Sequence, residues 1–276
     1  MIKEIIAIQG AEGSNHHKVA RDFYGTSILL EECMSFDALV NSLLNNTAHK
    51  GIMALENTIA GSIIPNYALI DKNNLHIIGE EYLNIHHHLM ALDGQSIEDI
   101  TEVCSHPMAL LQCKEFFKKH PHIKLVEDVD TAEVAKRIAQ QQLKGVAAIA
   151  PKIAAEIFGL TVIEDEIQTI KDNATRFVIV QTEKPIIKEE NINKASIKFQ
   201  LNHKRGSLAA ILNAMSDCRM NLTKIQSLPV IETPWKYSFF VDVTFENYKD
   251  YQKAIALIEI MAEEFKVLGI YKNGRK

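Results

Sequence analysis

The sequence is poor in the residues that build staples, membrane spans and basic surfaces. It has four cysteines in 276 residues, Cys33, Cys104, Cys113 and Cys218, and no two are spaced as CxxC. That spacing gives neither a disulfide framework nor a zinc knuckle and fits a reducing cytoplasm. No stretch approaches the roughly 18 consecutive apolar residues of a membrane helix. The opening apolar run is interrupted by Glu4 and no cleavage-type segment follows, so it does not read as a signal peptide. Basic residues are not in excess: 30 Lys and Arg stand against 35 Asp and Glu, a net charge of -5, which excludes a nucleic-acid footprint. No Gly-x-Ser-x-Gly and no phosphate loop occurs. Gly10-Ala-Glu-Gly13 lacks the third glycine and the acidic spacing of a dinucleotide site, which excludes NAD.

What is present is an ordinary globular composition, with 47% hydrophobic and 24% charged residues. The length predicts about two domains. Ile5–Gln9, Gly51–Leu55, Leu75–Gly79, Tyr82–Leu92, Leu125-Val126, Val146–Ala150 and Phe177–Gln181 read as strands. Helices are predicted at about His16–Tyr24, Ser35–Leu44, Pro107–Phe117, Asp130–Leu143 and Lys152–Phe158. Ser35 is the expected N-cap of the second, Asp130 with Glu133 a capping box, and Gly159 a helix stop. Strand and helix alternating in this way predict parallel α/β architecture. Residues 182–194 are polar and without period and read as a linker. Beyond them the pattern is β-α-β-β-α-β, the ferredoxin-like arrangement, with Tyr251, Ala254, Ile255, Ile258 and Met261 forming one helix stripe. An open antiparallel sheet of this kind has edges that can pair between chains, so an oligomer is expected.

Four segments carry polar chemistry at element ends. Gly10–Ser14 joins a strand to a helix, where free N–H groups can meet an anion or simply form a turn. Glu56-Asn57-Thr58-Ile-Ala-Gly61-Ser62 follows a buried strand, at the strand end where open α/β sheets bind ligands. Ser105-His106-Pro107-Met-Ala-Leu-Leu-Gln112-Cys113 starts a helix with proline in its first turn; a well-capped amphipathic helix explains most of it. Asp172-Asn173-Ala-Thr175-Arg176-Phe177 runs into a strand, with a hydroxyl that exchanges protons and a planar fork for a carboxylate. His86-His87-His88 invites a metal reading, but neighbours on a strand point to opposite faces and no carboxylate or cysteine has ligand spacing, so no metal is expected.

Taken together and in order, these segments resemble the prephenate dehydratase family. Its members show Gly-x-x-Gly, Glu-Asn-Ser-x-x-Gly-Ser, Ser-His-Pro-Gln-Ala-Leu-x-Gln-Cys and Thr-Arg-Phe blocks. Here Thr58 replaces serine and Met108 replaces glutamine. The resemblance spans about residues 4–181 and continues into a tail that looks like an ACT domain, which senses phenylalanine in this family. Gly206-Ser207-Leu208 matches its turn; Gln226-Ser227-Leu228-Pro229 stands where the family has Glu-Ser-Arg-Pro.

The resemblance implies a two-lobed, periplasmic-binding-protein-like catalytic domain at 1–182, with lobes of about 1–77 plus 165–182 and 78–164. It implies a linker at 183–194, a ferredoxin-like ACT domain at 195–276, and a chain that starts at the first dehydratase strand with no fused mutase. The implied reaction turns prephenate into phenylpyruvate without a cofactor. Thr175 would handle the proton, with Glu56 and Asn57 beside it in the catalytic set. Arg176, Phe177, Thr58, Gly61, Ser62, Ser105, His106, Gln112 and Asn173 would line the substrate. Gly206, Ser207, Leu208 and Gln226–Pro229 would bind L-phenylalanine as an allosteric effector of a homodimer or homotetramer. Arogenate dehydration and non-catalytic sensing are the alternatives.

Overall fold

The computed structural model describes residues 3–186, 188–202, 204–230, 233 and 235–275. Met1 and Ile2 of the expected first domain, Ile187 of the expected linker, and His203, Ile231, Glu232, Pro234 and Lys276 of the expected tail lie outside the described residues.

The chain begins with β1 (Ile5–Gln9), α1 (Asn15–Tyr24), β2 (Leu29–Cys33), α2 (Phe36–Leu44), β3 (Lys50–Asn57) and β4 (Gly61–Ser62). It continues with α3 (Ile64–Lys72), β5 (His76–Asn84), β6 (His88–Ala91), β7 (Glu102–Ser105), α4 (Pro107–Gln112), α5 (Lys114–Phe117) and β8 (Lys124–Glu127). Then follow α6 (Thr131–Gln141), β9 (Val146–Ala150), α7 (Lys152–Phe158), β10 (Thr161–Glu164) and β11 (Ala174–Gln181). The last stretch is β12 (Lys194–Gln200), α8 (Ser207–Asp217), β13 (Asn221–Pro229), β14 (Tyr237–Thr244), α9 (Tyr248–Met261) and β15 (Glu264–Tyr271). Residues 1–61 with 82–177 form one compact unit, and 62–81 with 178–276 form a second. No helix of the described residues is long and apolar enough to cross a membrane.

The first unit holds two α/β lobes. In one, β1 pairs in parallel with β2 and β3. The other is a five-stranded sheet in the order β10-β6-β9-β7-β8. At its centre β9 is a five-residue apolar run, Val146 to Ala150, whose last four residues are buried, as a strand covered on both faces requires. The predicted helix starts are present. Ser35 accepts from Ala38 N, and Asp130 accepts from Ala132 N and Glu133 N. Gly159 ends α7 in the left-handed region at φ 66°.

Two boundaries differ from expectation. Tyr82–Leu92 is not one strand: β5 stops at Asn84, and β6, from His88, belongs to the five-stranded sheet. The chain therefore crosses between lobes at Ile85–His87 rather than near residue 78. The return crossing runs beside it, with Ile85 N–H donating to Asn173 O at 2.6 Å. Strands β2 and β10 escape the sequence pattern because each is an edge strand carrying charge, Glu31 and Glu32 in β2 and Glu164 in β10.

The second unit contains the β-α-β-β-α-β tail. Its sheet runs β13-β14-β12-β15, antiparallel throughout, and β15 then pairs in parallel with β5 through Gly269 and Ile77. Ile211, Met215, Tyr251, Ala254 and Ile258 pack the two helices on one face. Residues 62–77, expected in the first lobe, and 78–81, expected in the second, cluster here. Glu80 and Lys194 form a buried pair, with Nζ 2.8 Å from both carboxylate oxygens. A pair so desolvated holds together because each charge satisfies the other; breaking it costs about 3–5 kcal/mol.

Candidate active site

The Gly10–Ser14 turn is a packing device rather than an anion cradle, because its N–H groups already have acceptors. Gly10 donates to Cys33 O, Ala11 to the Asp130 carboxylate, Glu12 to Glu32 Oε1, Gly13 to His17 Nδ1, and Ser14 to Ala11 O. Both glycines have positive φ, 93° and 89°. A Cβ on Gly13 would stand 3.1 Å from Ala154 Cα. The turn thus fits closely against α6 and α7 of the other lobe.

Some polar residues from each of the remaining three segments meet at the lobe crossing. β3 brings Asn57 to its end and β11 brings Thr175 to its start, 118 residues apart in sequence. Asn57 Nδ2 donates to Asn173 Oδ1 at 2.6 Å and to Thr175 Oγ1 at 2.9 Å. Its Oδ1 accepts from Ile59 N and Ala60 N at 2.9 and 2.8 Å. All strong bonds of this carboxamide are used, and its orientation is set by two backbone donors that cannot reverse. Asn173, 1% exposed, passes the chain on: its Nδ2 donates to Gln112 Oε1 at 3.1 Å. Gln112 Oε1 is also 2.8 Å from His87 Nε2. Thr58 closes the loop, with Thr58 N donating to Ala174 O and Ala174 N donating to Thr58 Oγ1.

Thr175, Asn57, Thr58, Asn173 and Gln112 are thus brought together. The other expected residues sit differently. Ser105 is fully buried and its hydroxyl donates to Ile149 O at 2.7 Å, tying β7 to β9 instead of facing a ligand. His106 is exposed, and its Nδ1 accepts from Met108 N as the N-cap of α4. Phe177 is 2% exposed and meets the His16 ring edge-on at 5.0 Å, so it is a core residue. Arg176 is also 2% exposed, and strand alternation places it on the face of β11 opposite Thr175. Glu56 likewise alternates to the face opposite Asn57. Gly61 is exposed, with φ 82°. Ser62 belongs to the second unit, where its Oγ accepts from Lys224 Nζ at 2.8 Å.

The triple-histidine run does not converge on one point. His86 approaches Glu166, His87 approaches Gln112, and His88 approaches Asp165. Sequence reasoning missed His87 and Gln168, whose Oε1 accepts from His87 N at 2.9 Å. The available signal was three polar residues inside an apolar stretch, which the metal question absorbed.

In the expected effector region, Gly206 adopts φ 83° at the start of α8 and Ser207 Oγ donates to Lys204 O. Leu208 packs on the core of the second unit. Gln226, Ser227, Leu228 and Pro229 lie in β13, with Leu228 buried and Ser227 and Pro229 exposed.

Comparison with known proteins agrees with the motif order. The family model for prephenate dehydratase matches residues 6–185. Arogenate dehydratase/prephenate dehydratase 2 of Arabidopsis thaliana is 35% identical over 277 residues, covering 96% of this chain and 72% of its own length. Among solved structures, GqqA, described as a novel type of quorum quenching acylase, superposes with a TM-score of 0.87 at 24% identity, covering 98% of both chains. Prephenate dehydratase of Arthrobacter aurescens in complex with L-Phe gives 0.84 at 22% identity, covering 98% of this chain and 90% of its own. At those identities the two structures establish the fold, and the family follows from the matched model and the plant relative: the chain belongs to the prephenate dehydratase family.

Proposed function

We propose that the chain converts prephenate to phenylpyruvate, with Thr175 as the hydrogen-bond donor to the departing hydroxyl. The observation that carries this reading is the bond from Asn57 Nδ2 to Thr175 Oγ1 at 2.9 Å. A hydroxyl that already accepts from one side directs its own proton elsewhere, and a leaving oxygen needs that proton. In the reaction the ring carbon–carboxylate bond breaks to release carbon dioxide, its electron pair enters the ring, the carbon–hydroxyl bond breaks, and the oxygen leaves as water after gaining one proton. Aromatisation drives the step, so no electron sink is required. The Thr175 hydroxyl donates as the oxygen departs and regains a proton from solvent. Positioned acid assistance of this type contributes typically about 10²–10⁴-fold.

The amides around Thr175 are neutral and mutually satisfied, so they keep their geometry as charge moves. Gln112 offers its Nε2–H groups, and Thr58 and Gly61 form the exposed rim. Arg176 and Glu56 support the strands from their opposite faces, and Ser105 and Phe177 hold the core beneath. The same cluster suits arogenate, which differs in carrying an amino group on the side chain. Side-by-side turnover of the two substrates by the purified chain tests both readings; phenylpyruvate formation from prephenate is expected, and turnover of neither would overturn the assignment.

The β12–β15 unit acts, on this reading, as an ACT-type domain that binds L-phenylalanine. Its β-α-β-β-α-β order supports this, as does the likeness to a relative crystallised with L-Phe. Lys224, two residues before Gln226, donates to Ser62 at the end of the Asn57 loop, which supplies a route from effector strand to substrate loop. Lys224→Met is expected to weaken inhibition by L-phenylalanine at least about fivefold, the lower end of ordinary coupling, while uninhibited turnover persists. Measuring turnover against L-phenylalanine concentration checks it. Outer strand β13 exposes Leu222 and Ile225, which supports assembly as a homodimer or homotetramer through that edge. The four free cysteines support a cytoplasmic, reducing setting.

A further inference from the structure

The triple-histidine run is the sequence feature that the proposed chemistry leaves unused. Its rings part company: His86 and His88 line a cavity of about 300 Å³ beside Lys18 and Lys152, while His87 turns to the amide cluster. His87 is 5% exposed, and its backbone N–H is held by Gln168 Oε1 at 2.9 Å.

The polarity of that cluster can be followed from the backbone outward. Ile59 N–H and Ala60 N–H fix Asn57 Oδ1 as an acceptor, so the Nδ2 side of Asn57 faces Asn173. Asn173 must then present Oδ1 to Asn57 and Nδ2 to Gln112, and Gln112 must present Oε1. An oxygen at that place leaves one option for the 2.8 Å contact with His87: the ring donates, and the proton sits on Nε2. His87 Nδ1 has no partner among the described residues, and burial pushes the ring's pKa down, so one proton per ring is the stable state.

We infer that His87 is a positioning residue for the dehydration: as a fixed Nε2–H donor it holds the Gln112 carboxamide with its Nε2–H groups toward the substrate, and steadies the Asn173–Asn57 pair that aims the Thr175 hydroxyl. Without that donor Gln112 can rotate, its NH2 can turn toward His87, and Asn173 loses a defined acceptor. The inference rests on the dehydratase reading of the same cluster.

Two variants and one spectrum test it. His87→Leu removes the donor, and His87→Gln restores an N–H where Nε2 stood. His87→Leu is expected to lower kcat/KM on prephenate about 10–100-fold, the scale of a small misplacement of reacting groups, and His87→Gln to recover most of that loss at matched melting temperature. Nitrogen-resolved histidine NMR of the wild-type chain should show a neutral Nε2–H ring whose proton signal disappears in Gln112→Leu. Equal impairment of the two His87 variants would overturn the inference, as would near-normal kcat/KM in His87→Leu or an Nδ1–H tautomer. If the wild-type chain turns over neither substrate, the dehydratase reading fails and takes the catalytic role of His87 with it; the NMR then still reports whether the donor lock exists.

Discussion

Thr175 and Arg176 are neighbours in sequence and opposites in space. Alternation along β11 sends one side chain to the amide cluster and the other into the opposite face. Thr175→Ala is therefore expected to lower kcat by at least about 10²-fold with the melting temperature little changed, whereas Thr175→Ser keeps the hydroxyl and most of the rate. Steady-state kinetics with thermal denaturation of both variants decides it; near-normal turnover in the alanine variant would remove Thr175 from the mechanism. Arg176→Lys gives the reverse pattern. A 2% exposed guanidinium replaced by an ammonium loses its planar fork in the interior, with an expected stability loss of about 1–3 kcal/mol and a small change in KM. A large rise in KM with unchanged stability would return Arg176 to the substrate. A motif lists side chains without the direction in which each points, and direction is what separates Thr175, at the amide cluster, from the buried Ser105, Arg176 and Phe177.

Elements show where one-dimensional pattern is strong. Helix starts at Ser35 and Asp130 and the stop at Gly159 depend on residues within one turn, and all three lie where the sequence places them. The Tyr82–Leu92 stretch is different. Apolar residues flank its three histidines on both sides, yet it serves two sheets, and the break at Ile85–His87 lies against the return strand near Asn173. The Gly10–Gly13 turn has the same dependence on distant partners. Gly13→Ala places a methyl group against Ala154 at a backbone angle of φ 89°. The strain is of order 1–3 kcal/mol. A fall of several degrees in melting temperature is expected, at about 2–4 °C per kcal/mol for chains of this size. Equal melting temperatures in wild type and variant would show that the turn yields freely.

For the whole molecule, acid sensitivity follows from the histidines. Burial lowers the pKa of His16 to about 3 and lowers His17, His87 and His88 from their usual range. The unfolded chain takes up protons on these rings as pH falls through about 6.5, and the folded chain resists doing so, so their contribution to stability is full above that pH and is lost below it. Each ring that stays neutral adds at most about 1.4 kcal/mol of loss per pH unit. Melting should therefore occur at lower temperature at pH 5 than at pH 7.5. His16→Phe, which keeps the ring contacts with Phe36 and Phe177, should remove part of the difference. An unchanged pH profile in that variant would exclude His16 as a contributor.

The sequence by itself determined the helix starts at Ser35 and Asp130, the β-α-β-β-α-β tail and the family, because each of these is carried by residue type and short spacing. Tertiary structure decided which of those side chains face one another. Asn57 and Asn173 are 116 residues apart, and the direction of the hydrogen bond between them is set by two backbone amides at one end of the chain of contacts and read out at His87 at the other. Donor and acceptor roles are properties of pairs, and the folded chain is what selects the pairs.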